Sequence, residues 1–314
     1  MTPREQSAPE ATWDAYQEAR RAAKRSYKLG DLGNAVHALR AALVAAALLP
    51  EDGKDQRRRS EVFRVLLETF AGWEALGEEQ RRGLLRDFEV LGHSFCDEPP
   101  TRLKCLLALF DQSAAVATED GRRLLTDMEG LVLAPESDFH RLPWLAKLSA
   151  RWARLDRAEG LRRFEGLFGA AIGMPPRMPH GVAARFSLFY CLGDEWIGID
   201  PERAMRCYAE VAGLIWTLDD SSKLWELLGL LARTSRGHVP DASRASVVAA
   251  CAYAAQYLEP GFRAEARAGF APYLAILPPD AAARVRERLD RALSGPFVHG
   301  PAGGLEAFGG PESA

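Results

Sequence analysis

The chain carries none of the local signatures from which common active sites are built, and each missing one removes a class of chemistry. Gly53-Lys54 has no glycine five residues earlier and no Ser or Thr after the lysine, and no GxGxxG occurs. Neither phosphate-cradling loop is spelled out, and no nucleotide or other cofactor is expected. The six histidines stand far apart without an HExxH. His93 and Cys96 share a helix face three residues apart, but two ligands do not make a zinc site, and no metal is expected. No Ser or Cys sits in a nucleophile context such as GxSxG. Asp219-Asp220 begins an aspartate-rich pattern, yet Lys223 stands where a third acid is needed, and capping of the next helix is the simpler role. The five cysteines (Cys96, Cys105, Cys191, Cys207, Cys251) never form a CxxC pair, which points to buried, reduced thiols rather than a disulfide framework.

Long apolar runs are also missing. The most apolar windows, Ala41 to Leu49 and Ala245 to Leu258, fall short of the roughly 20 residues that span a bilayer, so each reads as a buried helix and no membrane partner is expected. Around Pro3, Arg4, Glu5 and Glu10 there is no apolar core of the secretory type, which makes a cytoplasmic location the expectation. With a net charge of -3 the chain lacks the positive field of a dedicated nucleic-acid binder. Strand-like alternation is absent throughout.

What is present is helix. The 47% hydrophobic and 26% charged residues are those of a folded chain, and Ala, Leu, Arg and Glu dominate. Apolar residues recur at three-and-four spacing in about fourteen segments separated by short breaks, the fold class expected being all-α. Leu32, Ala35, Val36, Leu39, Leu43 and Val44 line the second helix, and Leu84, Leu85, Phe88, Val90 and Leu91 the fourth. Ser60 reads as the cap of a third helix after a charged loop at 51–59. Pro143 fits the first turn of a seventh, and Asp200-Pro201, Asp241 and Asp280 read as later starts. Trp73, Trp144, Trp152, Trp216 and Trp225 fall on apolar stripes and are expected in the core. The expected organisation is a loose N-terminus at 1–10, a helical half at 11–172, a proline-rich loop at 173–181, a second helical half at 182–293 and a disordered Gly/Pro-rich tail at 294–314. Helices of this kind pair as antiparallel hairpins that bury their apolar faces by stacking, which gives an α-solenoid.

Two windows carry a family resemblance. Ala23, Tyr27, Gly30-Asp31, Ala35, Leu39, Ala42-Leu43 and Pro50 resemble the tetratricopeptide repeat, with Ala19 and Ala22 where an aromatic residue and a leucine are usual. Tyr190, Gly193, Asp200, Arg203-Ala204, Cys207-Tyr208 and Val211-Ala212 are similar to the related Sel1-like repeat. Together the windows span about a fifth of the chain. The resemblance implies a scaffold that binds a protein or peptide on a concave surface formed by the first helix of each unit.

The candidate working surface lies on the opening helix, where Gln17, Arg20, Lys24, Tyr27 and Lys28 recur at spacings of three or four and share a face. In a tetratricopeptide unit such positions face the groove, and Arg20 and Lys24 resemble residues that hold an acidic peptide or a terminal carboxylate. Two other readings stay open. One is a helical enzyme whose site is assembled from distant residues such as Glu195, Asp219, Asp220 and His238; the other is a nucleic-acid binder using the basic face and Arg57 to Arg59.

Overall fold

A computed structural model describes residues 8–49, 55–94, 99–113, 118–134, 138–174, 181–236 and 239–299, and among them finds fourteen α-helices, three short 3-10 turns and no strand. The helices fall into two compact units, Met1–Ala134 and Pro135–Ala314. The proline-rich loop expected at 173–181 belongs to the second unit, and its residues 175–180 lie outside the described set. So do residues 1–7 and 300–314 of the two terminal segments. No described helix is long and apolar enough to cross a membrane.

The first unit comprises α1 (Ala8–Lys28), α2 (Leu32–Ala47), α3 (Asp55–Ala71), α4 (Glu78–Ser94), α5 (Pro99–Ser113) and α6 (Thr118–Leu133). Its opening hairpin follows from local chemistry. Gly30 takes φ +77°, the left-handed conformation that ends a helix. The Gly30 N–H then donates to the Tyr27 carbonyl at 3.0 Å and the Asp31 N–H to that of Ser26 at 3.0 Å. Asp31 caps α2 by accepting from the Asn34 N–H at 3.1 Å. Ala23, Ala35 and Ala42 are fully buried, and these small side chains let α1 and α2 approach closely, whereas Ala22 faces solvent. Beyond the hairpin, Phe63 and Phe70 of α3 pack on Phe88 of α4, each with ring centroids 5.6 Å apart. Leu106 and Phe110 of α5 join the same buried set. α3 begins at Asp55, so Ser60 and Arg57 to Arg59 lie within its first turns rather than in a loop and a cap.

The second unit comprises α7 (Asp138–Leu155), α8 (Arg157–Gly173), α9 (Gly181–Trp196), α10 (Pro201–Gly213), α11 (Asp220–Thr234), α12 (Asp241–Ala254), α13 (Arg263–Ala275) and α14 (Pro279–Ser294). Its best-fixed seam joins the first three. Trp196 is fully buried, its ring 4.8 Å from that of Phe164, and its Nε1 donates to the Ser149 hydroxyl at 2.9 Å. One residue, Asp156, separates α7 from α8, and it caps α8 by accepting from the Glu159 N–H at 3.1 Å. That turn brings Gly160 onto the backbone of Ala153. Gly193 likewise lies under the Tyr208 ring, whose hydroxyl donates to Asp194 at 2.7 Å. Arg233 of α11 donates to the same carboxylate at 2.8 Å and stacks 4.4 Å from the Tyr190 ring. Residues 190–212 are thus spent on joining α9, α10 and α11.

Within each unit most sequence neighbours pack together, and alternate helices touch as well: α2 on α4, α3 on α5, α7 on α9, α10 on α12, α11 on α13 and α12 on α14. Cys207 and Cys251 are fully buried in the second unit and Cys105 nearly so in the first, while Cys191 is half-buried and Cys96 lies outside the described residues. Several expectations are corrected in detail. Val44, Val90 and Trp225, placed on apolar stripes by spacing, are 62%, 70% and 67% exposed, Val44 and Val90 lining an open cleft between α2 and α4. Pro143 lies inside α7, not in its first turn. The caps of α12 and α14 are Pro240 and Pro278, so Asp241 and Asp280 sit in the first turns instead.

Candidate functional site

The five residues singled out on the opening helix are parted by the fold into two adjoining surfaces. Gln17 and Arg20 face α3 across a groove of ≈ 460 Å³ whose other lining residues are Trp13, Tyr16, Glu61, Val62 and Val65. Tyr16 forms its floor, 1% exposed and in ring contact with Trp13 at 5.2 Å. Burial pushes the Tyr16 hydroxyl above its ordinary range, against the pull of Arg20, which hydrogen-bonds it. The Arg20 Nε is buried and has no hydrogen-bond partner among the described residues. Tyr27 points toward the same neighbour but is already engaged: its ring stacks on Trp73 at 4.9 Å and 6°, and its hydroxyl accepts from the Ala75 N–H at 3.3 Å. Arg81 fixes this corner by donating to the Trp73 carbonyl at 2.8 Å.

Lys24 and Lys28 lie on the adjoining exposed face, in a shallow depression shared with Arg21, Arg25 and Leu29. Among the described residues no carboxylate is within ion-pairing distance of Arg21, Lys24, Arg25 or Lys28. Arginines elsewhere, such as Arg40, Arg82, Arg123 and Arg203, are paired. Sequence reasoning missed Arg21 and Arg25, although a readable signal was present: no acid occurs from Ala19 to Gly30. Glu61, Val62 and Val65 reach the groove from a different helix, and nothing local in α1 announces them.

One constellation has the composition of a metal centre. Ligand atoms of Glu89, His93 and Asp127 all lie within 4.8 Å of one another. Hydrogen bonding assigns these groups to another use. Arg123 donates to both Glu89 carboxylate oxygens, at 2.6 and 2.8 Å, and lies 3.6 Å from Asp127, so a cation already occupies the middle of the set. Arg102 Nη2 is 2.7 Å from His93 Nδ1, and a guanidinium can only donate there. The ring proton therefore sits on Nε2, which faces Glu89 at 3.8 Å and has no lone pair for a metal. The network is a clamp across α4, α5 and α6. The hydrogen bond from Arg123 holds the Glu89 carboxyl below its usual range despite partial burial. A depressed acid stabilises the fold above its unfolded pKa of about 4.3, and the benefit is lost as pH falls through the folded value. Melting followed from pH 7 to pH 3 is expected to show the first unit weakening in acid, and Arg123→Gln is expected to flatten that dependence.

Of the residues considered for an assembled active site, the two described in full are engaged in structural contacts. Glu195 is paired with Arg151 of α7. Asp219 caps α11, accepting from the Ser222 N–H at 3.0 Å, and stays exposed. His238 and the Asp220 side chain lie outside the described residues. Comparison of the chain with family models, curated proteins and solved structures finds no match.

Proposed function

We propose that the protein is a non-enzymatic, peptide-binding adaptor whose hairpins stack as an α-solenoid within each unit, and that the α1–α3 groove is its peptide site. The packing of most helices on their sequence neighbours and of alternate helices on one another supports the stacking. So do the two windows that resemble tetratricopeptide and Sel1-like repeats. The observation that carries the binding role is Arg20, a guanidinium in a groove of mixed polarity, whose buried Nε has no hydrogen-bond partner among the described residues. An entering carboxylate is held by charge-assisted hydrogen bonds from the guanidinium. Trp13, Val62 and Val65 then take the apolar side chain beside that carboxylate, so the ligand is a peptide segment with neighbouring acidic and apolar residues.

The test is a fluorescence titration of the full chain against short peptides that alternate Leu with Asp or Glu and end in a free carboxylate. Arg20→Ala is expected to weaken binding about tenfold or more, equivalent to about 1.4 kcal/mol, with circular dichroism checking that the helix content survives loss of its bond to Tyr16. Equal affinity for the parent and Arg20→Ala proteins overturns the assignment of the groove.

A further inference from the structure

The exposed face of α1 differs in kind from the groove beside it. Arg21, Lys24, Arg25 and Lys28 stand at i, i+3, i+4 and i+7, so their side chains form one stripe along two turns, about 10 Å of helix. All four are exposed, and none has a carboxylate within ion-pairing distance among the described residues. The chain as a whole is net negative, which makes this unmatched run of cations a local feature. Arg25 and Lys28 lie in the last turn of α1, where a positive charge favours the helix dipole. That effect fades within a turn, and it leaves Arg21 and Lys24 without a structural purpose. The stripe is bounded by apolar surface, with Trp13 38% exposed toward one end and Leu29 78% exposed just past the other. Asp14 and Glu18 share a depression with Trp13, Arg21 and Arg25, so two negative charges precede the positive run on the same side of the helix.

We propose that this face docks an acidic amphipathic α-helix of a partner protein, lying alongside α1. Charge complementarity sets the sign, and the period of the stripe sets the conformation. A helix laid beside α1 repeats its carboxylates every three or four residues, one turn or 5.4 Å apart, in step with Arg21, Lys24 or Arg25, and Lys28. An extended peptide presents one face about every 6.8 Å and falls out of step. Four cations on a single convex helix would neutralise only about four phosphates of a nucleic acid, whose affinity would then collapse at moderate salt. Glu18 beside Trp13 opposes an anionic bilayer at the point where an aromatic anchor would enter. The partner helix therefore carries acids over two turns, cationic or neutral residues facing Asp14 and Glu18, and an apolar edge that covers Trp13 and Leu29.

The surface meets the Arg20 groove at Trp13 and Gln17, and one experiment distinguishes them. The probe is a fluorescein-labelled, 21-residue designed helix with glutamates at i, i+3, i+4 and i+7 and a leucine edge, titrated by anisotropy into the full chain. Controls are a peptide of the same composition broken by two central prolines, a glutamate homopolymer of equal charge, a single-stranded RNA of similar length, and phosphatidylserine-containing vesicles. The parent protein is expected to bind the helical probe at least about tenfold more tightly than any control. The double reversal Arg21→Glu with Arg25→Glu is expected to remove the preference for the helical over the proline-broken probe, and Arg20→Ala, which removes the contribution of the groove, to leave that preference unchanged. Circular dichroism confirms that the exposed substitutions keep the helix content. Absence of binding, equal binding of the proline-broken or homopolymer peptide, or tighter binding of RNA or vesicles overturns the proposal. Self-association of the chain that the same reversal abolishes would also overturn it, in favour of a second copy as occupant.

Discussion

Replacing Trp196 by alanine is expected to destabilise the second unit by about 4 kcal/mol, the cost of emptying a fully buried indole site. Three helices meet there. The ring fills the space against Phe164 of α8, and its N–H donates to Ser149 of α7, itself 1% exposed. The Ser149 hydroxyl donates in turn to the Ala146 carbonyl at 2.7 Å, so the chain of donors is closed. Alanine leaves a cavity and removes the donor at one stroke. In a unit of this size, about 4 kcal/mol corresponds to a melting temperature lower by roughly 8–16 °C. Trp196→Phe keeps most of the packing and loses the hydrogen bond, and about 1–2 kcal/mol is expected for it. Urea unfolding followed by circular dichroism measures both. A Trp196→Ala protein as stable as the parent would mean that the seam between α7, α8 and α9 is not built as described.

Gly160→Ala is expected to cost about 3 kcal/mol, near the upper end for overpacking, because the obstacle is backbone. A Cβ at this position would lie 2.4 Å from the N, Cα and Cβ of Ala153, and no rotamer relieves a clash with main chain. The two helices would have to part at the one-residue connection that holds them together. Gly166 and Gly169 supply the control on the same helix. Both are exposed, and an added Cβ at either meets nothing within 4 Å. Alanine there is expected to stabilise by about 0.5–1 kcal/mol, as glycine is a poor residue for a helix interior. Opposite signs from one substitution type within a single helix separate crowding from propensity, and thermal melts read the sign directly. A Gly160→Ala protein that melts with the parent would refute the close approach of α7 and α8.

The parts of the fold legible in the sequence are those decided within a few residues. Gly30 and Asp31 end one helix and cap the next with atoms of their own neighbourhood, and Asp200-Pro201 and Asp219 are equally local. Burial at a stripe edge is decided elsewhere. Val44 and Trp225 have the right spacing for a core, but whether a further helix covers them is a property of the whole unit. The candidate surface shows the same division. At about 100° per residue, Gln17, Lys24 and Lys28 fall on one line of α1, with Arg20 and Tyr27 to one side of it and Arg21 and Arg25 to the other. The face read from spacing is therefore real as an arc of helix. Its division into a groove and an open side depends on Glu61, Val62 and Val65, which lie some forty residues away in the chain.

The buried cysteines give each unit a clock of its own. Cys105 in the first unit and Cys251 in the second are sealed from solvent, and burial pushes the Cys251 thiol far above its ordinary range. A thiol reagent can reach either one only while the surrounding helices stand open, so the rate of labelling at each sulfur counts openings of that unit alone. A partner that grips α1 would slow the first clock and leave the second running. The independence of the two units can thus be timed with side chains the protein already has.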